Sequence, residues 1–180
     1  MNLLIITQKV DANDDVLGFY HGWIAKFSER FESVNVICLQ KGSYSFSSNV
    51  RVFSLGKEEG QSKIKYLYKF YKYIFSLRND YDVVFVHMNI EYVFFGGLFW
   101  RIMGKKVALW FAHKKGSFLR KVAAVLSHRI LSVSKESFVG SNNKKFRALG
   151  HGINTESFKC DELDLKPDRI KKIISIGRLS

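Results

Sequence analysis

Seven short apolar runs punctuate the chain: NLLIIT (2–7), VNVICL (34–39), VRVFSL (50–55), YDVVFVHM (81–88), KVALWFAH (106–113), RILSVS (129–134) and KIISIG (172–177). Most are β-branched or aromatic, and they are apolar at consecutive rather than alternate positions. A strand of that kind must be covered on both faces, as inside a parallel sheet. Segments with helical spacing lie between them, at 23–31, 63–77, 92–103 and 118–127. The alternation predicts an α/β domain with a doubly wound, mostly parallel sheet. GKEEGQS (56–62) and MGKK (103–106) are the breakers expected between such units.

A chain of 180 residues is long enough for one domain with a sizeable core. The N-terminal MNLLIITQKVD has neither the basic start nor the long apolar stretch of a secretion signal. The longest apolar stretch, YVFFGGLFW (92–100), is far too short to span a bilayer. Cys38 and Cys160 make neither a disulfide framework nor a metal set. A cytoplasmic protein is the expectation.

The net charge is +13, and residues 61–150 hold all of that excess, with 17 Lys or Arg against four Asp or Glu. A local basic surface points to phosphates, in a nucleotide-linked substrate, an anionic lipid or a nucleic acid. The segment 63–78 adds a second oddity. Ile64, Leu67, Tyr68, Tyr71, Ile74 and Phe75 form the stripe expected to pack on the sheet. Tyr66, Phe70, Tyr73 and Leu77 form another on roughly the opposite side, with Lys63, Lys65, Lys69 and Lys72 near it. Such a helix either meets a membrane interface or a partner, or is deeply embedded with its tyrosines and lysines snorkelling.

Ligands of open α/β sheets bind outside the carboxyl ends of the strands. The first strand should lead into a long polar loop carrying Gly18, His21 and Gly22. The fourth leads to His87 and Asn89, the fifth to His113 and Lys114, and the sixth to Ser134 and Lys135. Three histidines, lysines and small hydroxyl residues are therefore expected on one rim. A dinucleotide fingerprint, a Walker A loop and a nucleophile elbow are missing. DANDD (11–15) lacks the downstream Glu of a calcium loop.

The run ILSVSKESF, KKFRALGHGINTESFK and IKKIISIGRLS, over residues 130–180, resembles family 4 retaining glycosyltransferases of the GT-B fold. The matching positions are a serine-containing turn after a strand, then Gly150, Gly152, Ile153, Asn154 and Phe158, then a strand ending in Gly-Arg-Leu. The resemblance implies two Rossmann-like domains facing each other across a cleft. Residues 1–165 would be the N-terminal, acceptor-side domain, and 166–180 the linker and first strand of a truncated donor-side domain.

The resemblance also assigns Arg178 to the donor diphosphate and His113 to the transferred sugar, with Gly152 among the substrate-binding positions. The first loop departs from the family, because Gly18 and Gly22 are separated by FYH where a Gly-Gly pair is common. The implied donor is a nucleotide-diphospho-sugar, with no metal and no cofactor expected. The acceptor would be a glycan or lipid-linked molecule, met by a protein peripheral at the inner face of the cell membrane. The rival reading is a non-catalytic basic module docking on anionic membrane or nucleic acid. Nucleic acid is the weaker branch, since no recognised reading module is present.

Overall fold

A computed structural model describes residues 1–113, 117–138, 144–150 and 152. Met1–Gly150 forms one compact unit. The strand expected at 172–177 and the boundary expected at 165 lie outside the described residues.

Strand β1 (Asn2–Val10) is the centre of the architecture. It pairs in parallel with β2 (Ser33–Lys41) on one side and β4 (Val83–His87) on the other. Beyond β2 lies β3 (Val50–Ser54). Beyond β4 lie β5 (Lys106–Trp110), β6 (Arg129–Ser132) and β7 (Phe146–Ala148). The order is β3-β2-β1-β4-β5-β6-β7, and all seven strands are parallel. The consecutive apolar pattern has the expected cause: Leu3 to Thr7 and Val34 to Cys38 are all buried, because helices cover both faces.

Helix α1 (Phe19–Ser28) packs Tyr20 and Ile24 against Leu3, Ile5, Val36 and Phe85. The opposite face carries α2 (Lys63–Ser76), α3 (Ile90–Ile102) and α4 (Phe118–Leu126), packed on Leu4, Ile6, Val84 and Leu109. Ser62 caps α2 by accepting from Lys65 N–H, and Ser117 caps α4 by accepting from Arg120 N–H.

Two expectations are corrected. The first loop is shorter than expected, because Lys9 and Val10 continue β1 in register with Gln40 and Lys41 of β2. His21 and Gly22 consequently lie inside α1 rather than in a loop. The buried face of α2 also draws on both stripes. Ile74, with Leu67 and Tyr71 beside it, packs on the core as expected, but so do Phe70, Tyr66 and Tyr73 of the other stripe and Leu77 just beyond the helix, whereas Ile64, Tyr68 and Phe75 are exposed.

The reason lies in α3. A Cβ on Gly96 would come within 2.9 Å of the Phe70 ring, so the glycine leaves the recess that the phenylalanine fills. Gly97 does the same for Leu126 of α4, whose Cβ sits 2.9 Å from where a side chain would begin. The adjacent glycines thus let one helix pack closely against two neighbours.

Phe70→Ala is expected to cost about 3–5 kcal/mol in urea unfolding, the range for truncating a buried aromatic. Tyr68→Ala, on the exposed opposite side of α2, should change stability by less than about 0.5 kcal/mol. The reverse order would mean that α2 packs through its Tyr68 side.

Candidate functional site

Chain direction across the sheet reverses between β1 and β4: β2 and β3 lie to one side of β1, and β4 to β7 to the other. The crevice at the carboxyl ends of this pair is the place where open sheets accept ligands. Its floor is set by how the chain leaves each strand.

Leaving β1, Lys9 reaches Asp14 at 2.6 Å and Asp11 at 3.0 Å. Asp14 also accepts the backbone N–H groups of Val16 and Leu17, at 3.0 and 2.6 Å. Hydrogen bonding from Lys9, then from those amides, lowers the Asp14 pKa to about 2. Gly18 closes this turn. A Cβ there would fall 2.5 Å from the Asp14 carbonyl oxygen and 3.0 Å from that of Ala12, so only glycine fits without a backbone shift.

Leaving β4, His87 is 2% exposed, and its ring stacks on Tyr20 with centroids 4.0 Å apart and planes 14° apart. Phe19, Trp23 and Trp110 surround the pair. His87 Nδ1 lies 3.4 Å from Thr7 Oγ1. Its Nε2 and the Tyr20 hydroxyl are buried without a hydrogen-bond partner among the described residues. Burial lowers the imidazole pKa to about 4, so His87 is neutral at physiological pH.

Met88 then takes a left-handed conformation at φ 65°, uncommon for a side chain of this kind. It directs Asn89 to the head of α3, with the Asn89 N–H and Nδ2 both donating to the His87 carbonyl, at 2.9 and 3.3 Å. Asn89 borders a cleft of about 320 Å³ between α2 and α3. Gln8, Lys63 and Glu91 supply its other polar groups, and Tyr66, Tyr92 and Phe95 its aromatic wall.

The expected residues divide between environments. Gly18, His87 and Asn89 are gathered at the switch point, since Phe19, next to Gly18, touches the His87 ring. His21 turns away: its Nε2 accepts the Ser45 N–H at 3.2 Å, and its ring stacks on Phe46 at 4.2 Å. Gly22 is exposed with open space around it.

His113 is exposed three residues beyond β5, edge-on to Phe111 at 5.4 Å. No hydrogen bond or ring contact joins it to His21 or His87 among the described residues. Ser134 Oγ lies 2.9 Å from Ser137 Oγ, while Lys135 and Gly152 are exposed. Lys114 and Arg178 lie outside the described residues. Sequence reasoning missed Gln8, Lys63, Glu91 and Tyr92. Of these, Gln8 carried a signal, as a polar residue near the end of an otherwise apolar strand.

No family model matches the chain, and no curated protein matches it. Solved structures do. The UDP-GlcNAc 2-epimerase of Methanocaldococcus jannaschii superposes with a TM-score of 0.52 at 15% identity, over 82% of this chain and 45% of its own. MurG of Acinetobacter baumannii gives 0.52 at 11% identity, over 87% and 47%. The lipopolysaccharide outer core galactosyltransferase WaaB gives 0.51 at 10% identity, over 85% and 46%. The chain spans less than half the length of each. At these identities the likeness is one of fold, the Rossmann-like α/β fold of GT-B proteins.

Because His87 has a folded pKa of about 4 against an ordinary 6.5, its neutral burial favours the folded state fully above pH 6.5. That contribution is lost as pH falls from 6.5 towards 4, for a total of about 3 kcal/mol. Asp14 acts in a separate window, losing its contribution only as pH falls from 3.8 towards 2. Urea unfolding of His87→Phe should show a markedly flatter stability profile between pH 6.5 and 4 than the parent. Parallel profiles would assign the acid sensitivity elsewhere.

Proposed function

We propose that this chain is the acceptor-side domain of a retaining glycosyltransferase that moves a sugar from a nucleotide-diphospho-sugar to a glycan or lipid-linked acceptor. The observation that carries the reading is the cleft at the switch point of a GT-B-type sheet. It combines an aromatic wall with an amide pair, an ammonium and a carboxylate. Tyr66 and Tyr92 suit the apolar face of a sugar ring. Gln8, Asn89, Lys63 and Glu91 suit its hydroxyls, by donating and accepting. The family resemblance supports the remaining roles, with His113 at the transferred sugar and Arg178 at the diphosphate. Positive side chains and backbone donors can stabilise a leaving diphosphate in such a site without a metal.

In this reading donor and acceptor are held between two domains, and that positioning supplies several kcal/mol of the barrier. The 180-residue chain alone should therefore fold but not transfer sugar. The protein would work in the cytoplasm, peripheral at the inner face of the cell membrane. A second reading, a non-catalytic basic module on anionic membrane or nucleic acid, is favoured by the charge of residues 61–150.

A screen of nucleotide sugars on a polypeptide that includes a donor-side domain decides between them, read by acceptor-dependent release of nucleotide. Asn89→Ala is expected to raise the acceptor KM about tenfold, equivalent to one lost hydrogen bond. His113→Ala should lower turnover with little loss of stability, because the side chain is exposed. Nucleotide-sugar conversion without any acceptor would point to an epimerase. Micromolar donor binding by the 180-residue chain alone would overturn the divided-site reading.

A further inference from the structure

The outward side of the α2, α3 and α4 layer is apolar where a helix layer normally meets water. On α2, Ile64 is 81% and Tyr68 68% exposed. On α3, Leu98 is 56% and Ile102 75% exposed, and Phe94, Phe95 and Phe99 are exposed as well. Val125 of α4 extends the surface, next to Arg101, which donates to its carbonyl at 3.1 Å. The surface is continuous from α2 to α3: Tyr71 donates to the Phe95 carbonyl at 3.2 Å, and Phe75 meets Phe99 at 5.4 Å. An exposed apolar surface of this breadth marks an interaction site.

Charge identifies the occupant. The three helices carry seven Lys or Arg and a single carboxylate, Glu91. Lys65 and Lys72, two helical turns apart, form an exposed row beside Tyr68 on the α2 side. Lys121, four residues before Val125, flanks the apolar surface on the α4 side. No ion pair holds Lys65 or Lys72 among the described residues. An apolar strip between the α2 lysine row and Lys121 of α4 fits acyl chains and anionic head groups together. A second copy of the chain would set lysine against lysine with almost no carboxylate to answer, and nucleic acid would leave the aliphatic ridge uncovered.

We infer that the outer face of α2, α3 and α4 docks on an anionic lipid surface, its apolar ridge entering the head-group layer between the α2 lysines and Lys121. No helix among the described residues is long and apolar enough to cross a membrane, so this attachment is peripheral. Phe95 belongs both to the ridge and to the wall of the cleft. Docking therefore brings the mouth of the cleft to the lipid surface. The inference rests on the membrane contact proposed above and not on the sugar-transfer chemistry.

Flotation with vesicles of phosphatidylcholine, alone or mixed with phosphatidylglycerol, tests it on the 180-residue chain. The chain should float with the mixed vesicles, less at high salt, and hardly with the neutral ones. Leu98→Ser/Ile102→Ser and Lys65→Glu/Lys72→Glu should each lower partitioning about tenfold or more. All four positions are exposed, so circular dichroism should be unchanged. Lys26→Glu on α1 with Arg30→Glu just beyond it makes the same change in net charge on the other side of the sheet and should bind within about twofold of the parent.

Binding by the parent that survives both ridge and lysine variants would overturn this face while leaving the membrane contact standing. No binding by the parent would overturn both, and sugar transfer would still be judged by its own assay. A concentration-dependent dimer abolished by Leu98→Ser/Ile102→Ser, without vesicle binding, would replace the lipid with a second copy.

Discussion

The parallel pairing of β1 with both β2 and β4 buries Leu3 to Thr7 on either face. Such a strand has no solvent side, so helices must cover both of its surfaces. With right-handed crossovers, steps in opposite directions from β1 place their helices on opposite faces. That is why α1 lies alone beneath β1 and β2, while α2, α3 and α4 share the other side. The same reversal opens the crevice at the carboxyl ends of β1 and β4. The site is in this sense a by-product of the way the central strand is covered.

Within that crevice, polar chemistry is divided by burial. His87 and Tyr20 are stacked in an aromatic enclosure, and their environment holds the imidazole neutral. They shape the junction from below. The groups open to a ligand, Gln8, Lys63, Asn89 and Glu91, line the cleft on the α2–α3 side. The left-handed turn at Met88 separates the two sets, since His87 lies on one side of it and Asn89 on the other. Fixed aromatic packing beneath a wet, mixed-polarity cleft is an arrangement that can position polar groups without their own side-chain entropy deciding the geometry.

The helical layer shows a similar economy of residues. Gly96 and Gly97 allow Phe70 and Leu126 to approach the α3 backbone closely. With its inner surface so tightly engaged, α3 presents its large remaining side chains outward. The phenylalanines and aliphatics of that outer surface touch one another and α2 but stay exposed. Their exposure follows from a sequence apolar nearly all round the helix, in a layer that covers only one side of it.

Consecutive apolar runs were enough to establish a parallel α/β sheet and to locate six of its described strands, because burial on both faces leaves a local trace in sequence. The carboxyl-end rule pointed to Gly18, His87 and Asn89 from the strand ends alone, but it also expected His21 on the same rim, and His21 lies inside α1 against Phe46. Strand β7 escaped notice: Phe146–Ala148 is three residues with one buried, too short to show a period. The extension of β1 through Lys9 escaped too, since its polar residues look like loop until β2 pairs with them.

Which residues of the two α2 stripes face the sheet was a tertiary decision. Both stripes satisfy the helical period, yet the buried face takes Ile74 from one and Phe70 from the other, with Phe70 seated in the recess at Gly96. The partners of His21, His87 and His113 were equally beyond local reading, because a side chain's neighbours depend on elements distant in sequence. Periodicity records how much of a segment is covered; only packing decides what covers it.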